Sequence, residues 1–177
     1  MKYFTNNFLN FPTCNSPKDY LTISREMASL HSSFFENSKN YLSQKSMYHY
    51  LKEDKTHVFC NKISLAIIQV SGLEADLITI GVDPNNQRKG IGSRLLKLVS
   101  LYLKDLKVNN LFLEVACNNE AAIKIYTKFG FKACGIRKNY YPKYNGIESD
   151  ASVMVSNVSR KNGKLDKKKL QRLYPTG

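Results

Sequence analysis

The fold of this chain is decided by one continuous stretch, Ile78-Thr79-Ile80-Gly81-Val82-Asp83-Pro84-Asn85-Asn86-Gln87-Arg88-Lys89-Gly90-Ile91-Gly92-Ser93-Arg94-Leu95-Leu96. It begins with β-branched residues, which predict a strand, and passes through a polar turn into a Gly-x-Gly loop at the start of a helix. The first N–H groups of a helix have no intrahelical partner, and the helix dipole places positive charge behind them. The stretch therefore predicts a strand–loop–helix unit that binds a phosphate-bearing ligand.

Apolar periodicity on both sides of this stretch predicts the remaining helices and strands. The predicted elements are helices over 18–35 and 41–51, strands over 58–61, 63–70 and 73–82, a helix over 92–106, a strand over 111–116, a helix over 119–129, and strands over 131–136 and 151–155. After the two initial helices the order is β-β-β-α-β-α-β-β. This order predicts an α/β domain with a mixed sheet and helices on its faces.

Composition favours a globular domain without a membrane span or a metal site. The 177 residues fit one domain, and 42% are hydrophobic. No apolar run approaches the ~18 residues that a membrane span requires, and the first residues carry no apolar leader segment. The four cysteines form no Cys-x-x-Cys pair and have no accompanying histidine spacing. We therefore expect a cytoplasmic protein with neither a disulfide framework nor a bound metal.

The charge of the chain is strongly positive and unevenly distributed. There are 27 Lys and Arg residues against 14 Asp and Glu, which gives a formal net charge of +13. Such a balance favours nucleic acid, a membrane surface or a phosphorylated cofactor as partner. Residues 160–177 carry seven basic residues and one acid, Asp166. We divide the chain into a domain over 1–159 and a basic tail over 160–177, which either is a solvated terminus or contacts RNA.

The Gly-x-Gly loop fits neither of two common nucleotide-binding motifs. It lacks the Gly-Lys-Ser/Thr of a Walker A loop, and the third glycine and acidic residue of a dinucleotide-binding unit. Glycines at such a turn can also serve only close packing between strand and helix. The pattern Gln87-Arg88-Lys89-Gly90-Ile91-Gly92, placed after Val-Asp-Pro, resembles motif A of the GNAT superfamily of acetyl-CoA-dependent N-acetyltransferases.

This resemblance implies the GNAT fold, a mostly antiparallel mixed sheet flanked by helices, and acetyl-CoA as cosubstrate. It implies that the loop amides hold the cofactor pyrophosphate and that the preceding strand pairs with the pantetheine arm. The cofactor-binding residues it implies are Ile80, Gly81, Val82, Arg88, Lys89, Gly90, Ile91, Gly92, Ser93 and Asn119. Asn119 is equally well explained as a helix N-cap, and both roles can hold together.

The second half of the chain resembles one particular subgroup of this superfamily. The run Leu113-Glu114-Val115-Ala116-Cys117-Asn118-Asn119-Glu120-Ala121-Ala122-Ile123-Lys124-Ile125-Tyr126-Thr127-Lys128-Phe129-Gly130-Phe131 resembles a strand–helix region of the superfamily. Ile136-Arg137-Lys138-Asn139-Tyr140-Tyr141-Pro142, followed by Asp150-Ala151, resembles the ribosomal-protein alanine N-acetyltransferase subgroup. The implied reaction is acetylation of a protein's N-terminal amine, and the implied partner is a ribosomal protein beginning with Ala or Ser.

The chemistry of N-acetylation suggests roles for two residues. The acceptor amine is mostly protonated at neutral pH, so a base must remove a proton. Glu114 ends an apolar strand, where we expect apolar neighbours to make its carboxylate a stronger base. The resemblance implies that Glu114 accepts the proton through water, and that Tyr126 acts as a general acid on the leaving sulfur. The alternatives are a solvent-facing glutamate and a tyrosine that only packs in the core.

Two further features concern the acceptor. A backbone N–H at the end of strand 73–82, that of Val82, would serve as the oxyanion donor. Tyr140 and Tyr141 resemble a wall of the peptide slot, although adjacent tyrosines can also shield a core edge. Residues 32–38 lack the tryptophan usual in this subgroup, which leaves open acetylation of a small amine or a protein lysine. A non-enzymatic alternative is a ribosome- or RNA-associated binding module.

Overall fold

A computed structural model of the chain describes residues 17–34, 41–144 and 147–159. Its elements are α1 (Pro17–Ser33), α2 (Gln44–Lys52), β1 (Thr56–Asn61), β2 (Ser64–Ser71), β3 (Glu74–Val82), α3 (Ile91–Asp105), β4 (Asn110–Ala116), α4 (Glu120–Lys128), β5 (Lys132–Tyr144) and β6 (Ile147–Asn157). In these ranges no helix combines the length and apolar character needed to cross a bilayer. The tail over 160–177 lies outside the described residues, so its boundary with the domain stays a prediction.

The six strands form one mixed sheet in the order β1-β2-β3-β4-β6-β5. Only β3 and β4 are parallel, and every other neighbouring pair is antiparallel. The α/β class and the predicted order of elements are therefore confirmed. Strands β5 and β6 run well beyond the predicted 131–136 and 151–155. The extension carries charged residues and Pro142, which an edge strand tolerates because one side of its backbone has no ladder to maintain.

The helices cover the two faces of the sheet and bury two separate apolar clusters. Leu65 and Ile67 of β2 belong to the cluster beneath α1 and α2. The alternate residues Ala66 and Ile68 belong to the cluster beneath α3 and α4. Because both faces of β2 are covered, its sequence is an almost continuous apolar run. We call the two sides of the sheet the α1/α2 face and the α3/α4 face.

Strands β3 and β4 pair over only part of their length. Their register runs from Glu74 opposite Asn110 to Leu77 opposite Leu113. Beyond that point β3 continues beside β2, and β4 continues beside β6. The register between β2 and β3 shifts at a bulge. The sheet is therefore open between residues 78–82 of β3 and 114–116 of β4. We call this opening the wedge.

A buried histidine connects the α1/α2 face to β3. His31 is 1% exposed, and its Nε2 lies 2.8 Å from the Thr79 hydroxyl oxygen. The backbone N–H of Leu42 donates to His31 Nδ1 at 3.1 Å. Because Nδ1 accepts, Nε2 carries the proton and donates to Thr79, so the ring is neutral. Burial lowers the pKa of His31 from 6.5 to about 4.

We expect this histidine to make the fold sensitive to mild acid. The unfolded chain binds a proton at His31 near pH 6.5, whereas the folded chain does so only near pH 4. The free energy of unfolding should therefore be retained above pH 6.5 and fall by about 3 kcal/mol on acidification to pH 4. Urea unfolding at a series of pH values measures the slope. The variant His49→Gln, which removes an exposed histidine, should keep this slope; an unchanged slope in His31→Gln would contradict the assignment.

Candidate active site

The loop after β3 is shaped by its own side chains. Asp83 Oδ1 accepts from the backbone N–H of Asn85 at 3.0 Å, which fixes a short 3-10 turn over Pro84–Asn86. Gln87 Nε2 donates to the carbonyl oxygen of Val82 at 3.1 Å and holds the loop against the end of β3. These local bonds explain why a polar Asp-Pro-Asn-Asn sequence stops the strand and redirects the chain into α3.

The start of α3 has no side-chain cap. Gly90 is the N-cap residue in a left-handed conformation with φ of 76°, and no side chain there accepts from the first turn. A Cβ added at Gly90 would meet nothing within 4 Å, so the space in front of the helix is open. Arg88 also adopts a left-handed φ of 60°. Open space before uncapped helix amides is the arrangement that a phosphate group requires.

The other predicted cofactor residues take distinct places around this loop. Ile91, Gly92 and Ser93 form the first turn of α3, and Ile91 turns its side chain into the core. Lys89 donates from Nζ to the carbonyl oxygen of Asn85 at 3.0 Å, so its ammonium is engaged by the turn. Asn119 is the N-cap of α4, where Oδ1 accepts from the backbone N–H of Ala122 at 3.1 Å. Its N-cap role is confirmed, and a cofactor contact stays a prediction.

The predicted strand residues Ile80, Gly81 and Val82 line the β3 side of the wedge. Gly81 has no room for a side chain, because an added Cβ would lie 2.0 Å from the Phe34 ring at the end of α1. Sequence reasoning missed this contact, since it joins residues far apart in the chain. The ring of Phe34 therefore lies against β3 on the α1/α2 face, beside the wedge.

Glu114 is the first β4 residue beyond the last β3–β4 pair. Its neighbours Leu113 and Val115 belong to the α3/α4 cluster, so its side chain lies on the α1/α2 face. The expected apolar surroundings are not found. The side chain is 27% exposed and forms an ion pair with Arg137, whose Nη1 donates to Oε1. The expectation was wrong because the sequence does not show that Arg137 of β5 reaches across β6 to Glu114.

Tyr126 lies on α4 and packs against the α3/α4 cluster, with its ring centroid 5.7 Å from that of Phe131. Burial, and to a lesser degree the phenol of Tyr141, raise the pKa of Tyr126 to about 12. Tyr126 and Glu114 thus lie on opposite faces of the sheet. The buried phenol is neutral throughout the physiological pH range and therefore keeps the O–H that can donate a hydrogen bond.

The tyrosine pair on β5 lies beside Glu114. Tyr141 donates from its hydroxyl to the Glu114 carbonyl oxygen at 3.4 Å, and burial raises the pKa of Tyr141 to about 12. A hydrogen bond with the Glu114 carboxylate raises the pKa of Tyr140. The two rings meet edge to face with centroids 5.1 Å apart. The structure therefore brings together Glu114, Tyr140 and Tyr141, and Tyr141 is close enough to Tyr126 for its charge to raise the pKa of that phenol. Asn119 and Lys89 are engaged in local contacts.

Two charged neighbours of Glu114 were not assigned a role from sequence. Arg137 lies in the run of residues 136–142, but nothing in the spacing of that run indicates that Arg137 pairs with Glu114. Asp76 of β3 has its pKa raised by burial and then by the Glu114 charge, which places a second carboxylate nearby. Among the described residues, no three His, Cys, Asp or Glu side chains are grouped in a way that could hold a metal ion.

Comparison with known proteins agrees with this geometry. Residues 18–131 match the acetyltransferase (GNAT) family. The ribosomal protein bS18-alanine N-acetyltransferase of Escherichia coli is 44% identical over 96 residues, covering 54% of this chain and 64% of that protein. Its Haemophilus influenzae counterpart is 42% identical over 93 residues, covering 52% and 63%. The chain thus matches just under two thirds of the length of these curated relatives.

Structural comparison extends the similarity over more of the chain. The crystal structure of the Escherichia coli ribosomal-protein alanine N-acetyltransferase superposes with a TM-score of 0.68 at 29% identity, covering 85% of this chain and 94% of that one. The predicted superfamily is confirmed, together with the mixed sheet and flanking helices that its fold requires. This chain belongs to the acetyltransferase (GNAT) family.

Proposed function

We propose that this chain is an N-acetyltransferase that transfers acetyl directly from acetyl-CoA to the N-terminal amine of a protein, and that the acceptor is a ribosomal protein beginning with Ala or Ser. The observation that carries the proposal is the wedge, with the Glu114 carboxylate on one face of the sheet and the Tyr126 phenol on the other. The relatives at 38–44% identity, which are named ribosomal protein bS18-alanine N-acetyltransferases, support the acceptor class.

The loop before α3 fits the diphosphate of coenzyme A. Gly90 leaves open space, and the uncapped amides of residues 91–93 supply donors together with the helix dipole. Arg88 is exposed beside them and adds positive charge. The pantetheine arm would then follow β3 along Ile80, Gly81 and Val82 into the wedge. This path places the thioester between the two faces of the sheet.

The acceptor nitrogen must lose two protons during the transfer, and residues of this chain assist the steps in which it does so. Glu114 accepts the proton of the acceptor ammonium through water, and the freed amine nitrogen bonds to the acetyl carbon. The backbone N–H of Val82 donates to the oxyanion that forms. The nitrogen of this intermediate gives up its second proton to water as the carbon–sulfur bond breaks, which leaves the neutral amide. The leaving thiolate accepts a hydrogen bond from Tyr126 and takes a proton from water to become the free thiol of coenzyme A. A phenol with a pKa of about 12 holds its proton more tightly than a thiol with a pKa of about 8.5, so Tyr126 stabilises the thiolate chiefly as a hydrogen-bond donor.

The acceptor approaches from the α1/α2 face, where the Glu114 carboxylate and the Tyr140 hydroxyl meet. Tyr141 lies beside them and donates to the Glu114 backbone carbonyl. Tyr140 is 42% exposed, which leaves its ring available to a peptide backbone. The charge of Tyr50 on α2 contributes to the raised pKa of Tyr140, so α2 lies near this tyrosine. We propose that Tyr140 and Tyr141 form one wall of the acceptor slot and that the end of α1 at Phe34 forms part of the opposite wall.

The test is incubation with acetyl-CoA and a panel of acceptors, followed by mass spectrometry. Peptides that begin with Ala or Ser should gain one acetyl group at the α-amine, with stoichiometric release of coenzyme A. Matched peptides with a blocked α-amine and a free lysine should remain unmodified. Acetylation of internal lysines, or of polyamines alone, would replace this proposal with one of the other two acceptor classes. Coenzyme release with none of them would favour the ribosome-binding module.

Substitution of Gly90 tests the cofactor loop. Gly90→Ala places a methyl group in the open space before α3 and strains a residue with φ of 76°. We expect the KM for acetyl-CoA to rise up to about tenfold, since a helix-terminus anion contact contributes up to about 2 kcal/mol in a favourable geometry. Gly72→Ala is the matched control, because Gly72 has φ of 60° and equally open surroundings in the β2–β3 turn. Equal KM values in the two variants would exclude the loop as the diphosphate site.

Two further parts of the proposal concern where the enzyme acts. We propose a cytoplasmic location, with the free thiols of Cys60, Cys117 and Cys134 in keeping with a reducing compartment. The basic tail over 160–177 lies outside the described residues, and its contact with RNA stays a prediction. A net charge of +13 would favour approach to an RNA-rich particle through phosphate contacts.

A further inference from the structure

Arg137 reaches Glu114 from a strand that is not its neighbour. Glu114 pairs with Val153 of β6, and Val153 pairs with Gly135 of β5. Arg137 lies two residues further along β5, and its side chain crosses β6 to form the ion pair with Glu114. It is the hydrogen bond with Glu114, more than the charge, that raises the pKa of Arg137. The pair therefore joins the edge of the sheet to the wall of the wedge.

A bulge in β5 directly follows Arg137. The register with β6 shifts between Arg137 and Tyr141, and Asn139 within the shift has a left-handed φ of 53°. Asp150 of β6 holds the bulge, because its carboxylate accepts from the Asn139 backbone N–H at 3.0 Å. The exposed Lys138 Nζ also donates to this carboxylate at 2.8 Å, on the solvent side. Bulges beside functional sites redirect side chains that a regular strand would point elsewhere.

Two β5 side chains, Arg137 before the bulge and Tyr140 within it, meet at the same carboxylate. The guanidinium carbon of Arg137 lies 4.4 Å from the centroid of the Tyr140 ring, which fixes the plane of the guanidinium. Tyr140 itself forms a hydrogen bond with the Glu114 carboxylate. The Glu114 carboxylate is thus held by Arg137 and Tyr140, and these two side chains also stack on each other. A lysine ammonium, which is neither planar nor stacked, could supply the charge but not this orientation.

We propose that Arg137 is a positioning residue for the proposed acetyl transfer: through the ion pair it fixes the direction of the Glu114 carboxylate at the wedge. The inference rests on the proposed role of Glu114 as proton acceptor. A base displaced by about 1 Å loses up to a hundredfold in rate. An ordinary surface ion pair contributes little to stability, so this pair acts on geometry rather than on folding. The adjacent pair Lys138–Asp150 provides the comparison, since it lies on the same bulge without touching Glu114.

The test compares Arg137→Gln with Lys138→Gln, which removes the neighbouring exposed cation. Arg137→Gln should lower kcat about tenfold to a hundredfold while the KM for acetyl-CoA stays within about twofold of the wild type. Arg137→Lys should recover part of the loss, and Lys138→Gln should keep the wild-type kcat. Arg137→Gln should change kcat less than about twofold when Glu114 is already Gln, because its effect passes through that carboxylate.

The result that overturns the inference is a wild-type kcat in Arg137→Gln, or an equal loss in the Glu114→Gln background. A crystal structure of Arg137→Gln gives a readout independent of turnover. We expect the Glu114 carboxylate to turn away from its wild-type position, and an unmoved carboxylate overturns the positioning role even if no acceptor is found. Failure of the proposed function would show separately, as an inactive wild-type enzyme with every acceptor of the panel.

Discussion

Glu114→Gln is expected to lower kcat by about 10²–10⁴-fold at neutral pH, the range typical for loss of a general base. The amide keeps the shape of the side chain and can still accept from Arg137, so the wedge should remain intact. What is lost is the ability to take a proton from the acceptor ammonium. Because peptide α-amines have a pKa of about 7.7–8.0, the reactive neutral amine becomes abundant above that pH. The deficit of the variant should therefore shrink steadily between pH 7 and pH 9.5.

Initial rates of coenzyme A release across this pH range measure both effects. Glu120→Gln is the matched control, since Glu120 is an exposed carboxylate on α4 that pairs only loosely with Lys124 at 3.3 Å. It should keep the wild-type pH profile. A Glu114→Gln enzyme with normal turnover at pH 7 would show that the acceptor amine loses its proton elsewhere.

Tyr126→Phe is expected to lower kcat by about 10²-fold with little change in KM for either substrate. The ring keeps its place in the α3/α4 cluster, while the hydroxyl that we propose as the donor to the leaving thiolate is removed. Removal of one preorganised donor from a developing negative charge costs about 2.7–4 kcal/mol. Since the pKa of Tyr126 is about 12, the phenol does not ionise below pH 10. The loss should therefore be constant over pH 7–9.5, unlike that of Glu114→Gln.

Tyr102→Phe is the control for this variant. Tyr102 is also a buried phenol with a pKa raised to about 12, but its hydroxyl lies 2.9 Å from His57 Nδ1 beneath α3. Loss of that bond should cost about 1 kcal/mol of stability and leave kcat unchanged. If both phenylalanine variants reduced kcat equally, the effect of Tyr126 would be one of packing rather than of chemistry.

The sequence predicts most of this fold because its signals are local. The strand–loop–helix stretch carries its own turn chemistry, with Asp83 and Gln87 bonding within a few residues. The positions of Glu114 and Tyr126 follow from the alternation along β4 and the helical spacing of α4. The β5–β6 hairpin was underestimated, because its outer half carries charged residues that resemble a loop and gains its order from strand pairing.

The environment of the predicted base could not be derived in the same way. The partner of Glu114 is Arg137, which reaches it across two strand pairings. No periodicity encodes a contact of that kind, since it depends on how three strands are paired. The contact of Phe34 with Gly81 was missed for the same reason. Both belong to the acceptor side, where long-range contacts set the geometry.

The partition of the base and the phenol between the two faces of the sheet has a kinetic consequence. Under the proposed function, coenzyme A enters along the α3 side and the peptide enters from the α1/α2 side, so neither reactant obstructs the path of the other. The coenzyme and the peptide must be bound at the same time for the amine to meet the thioester, and the proposed reaction has no covalent acetyl-enzyme intermediate. Under this proposal we expect catalysis to proceed through a ternary complex, without a sterically imposed order of assembly, rather than by a ping-pong cycle.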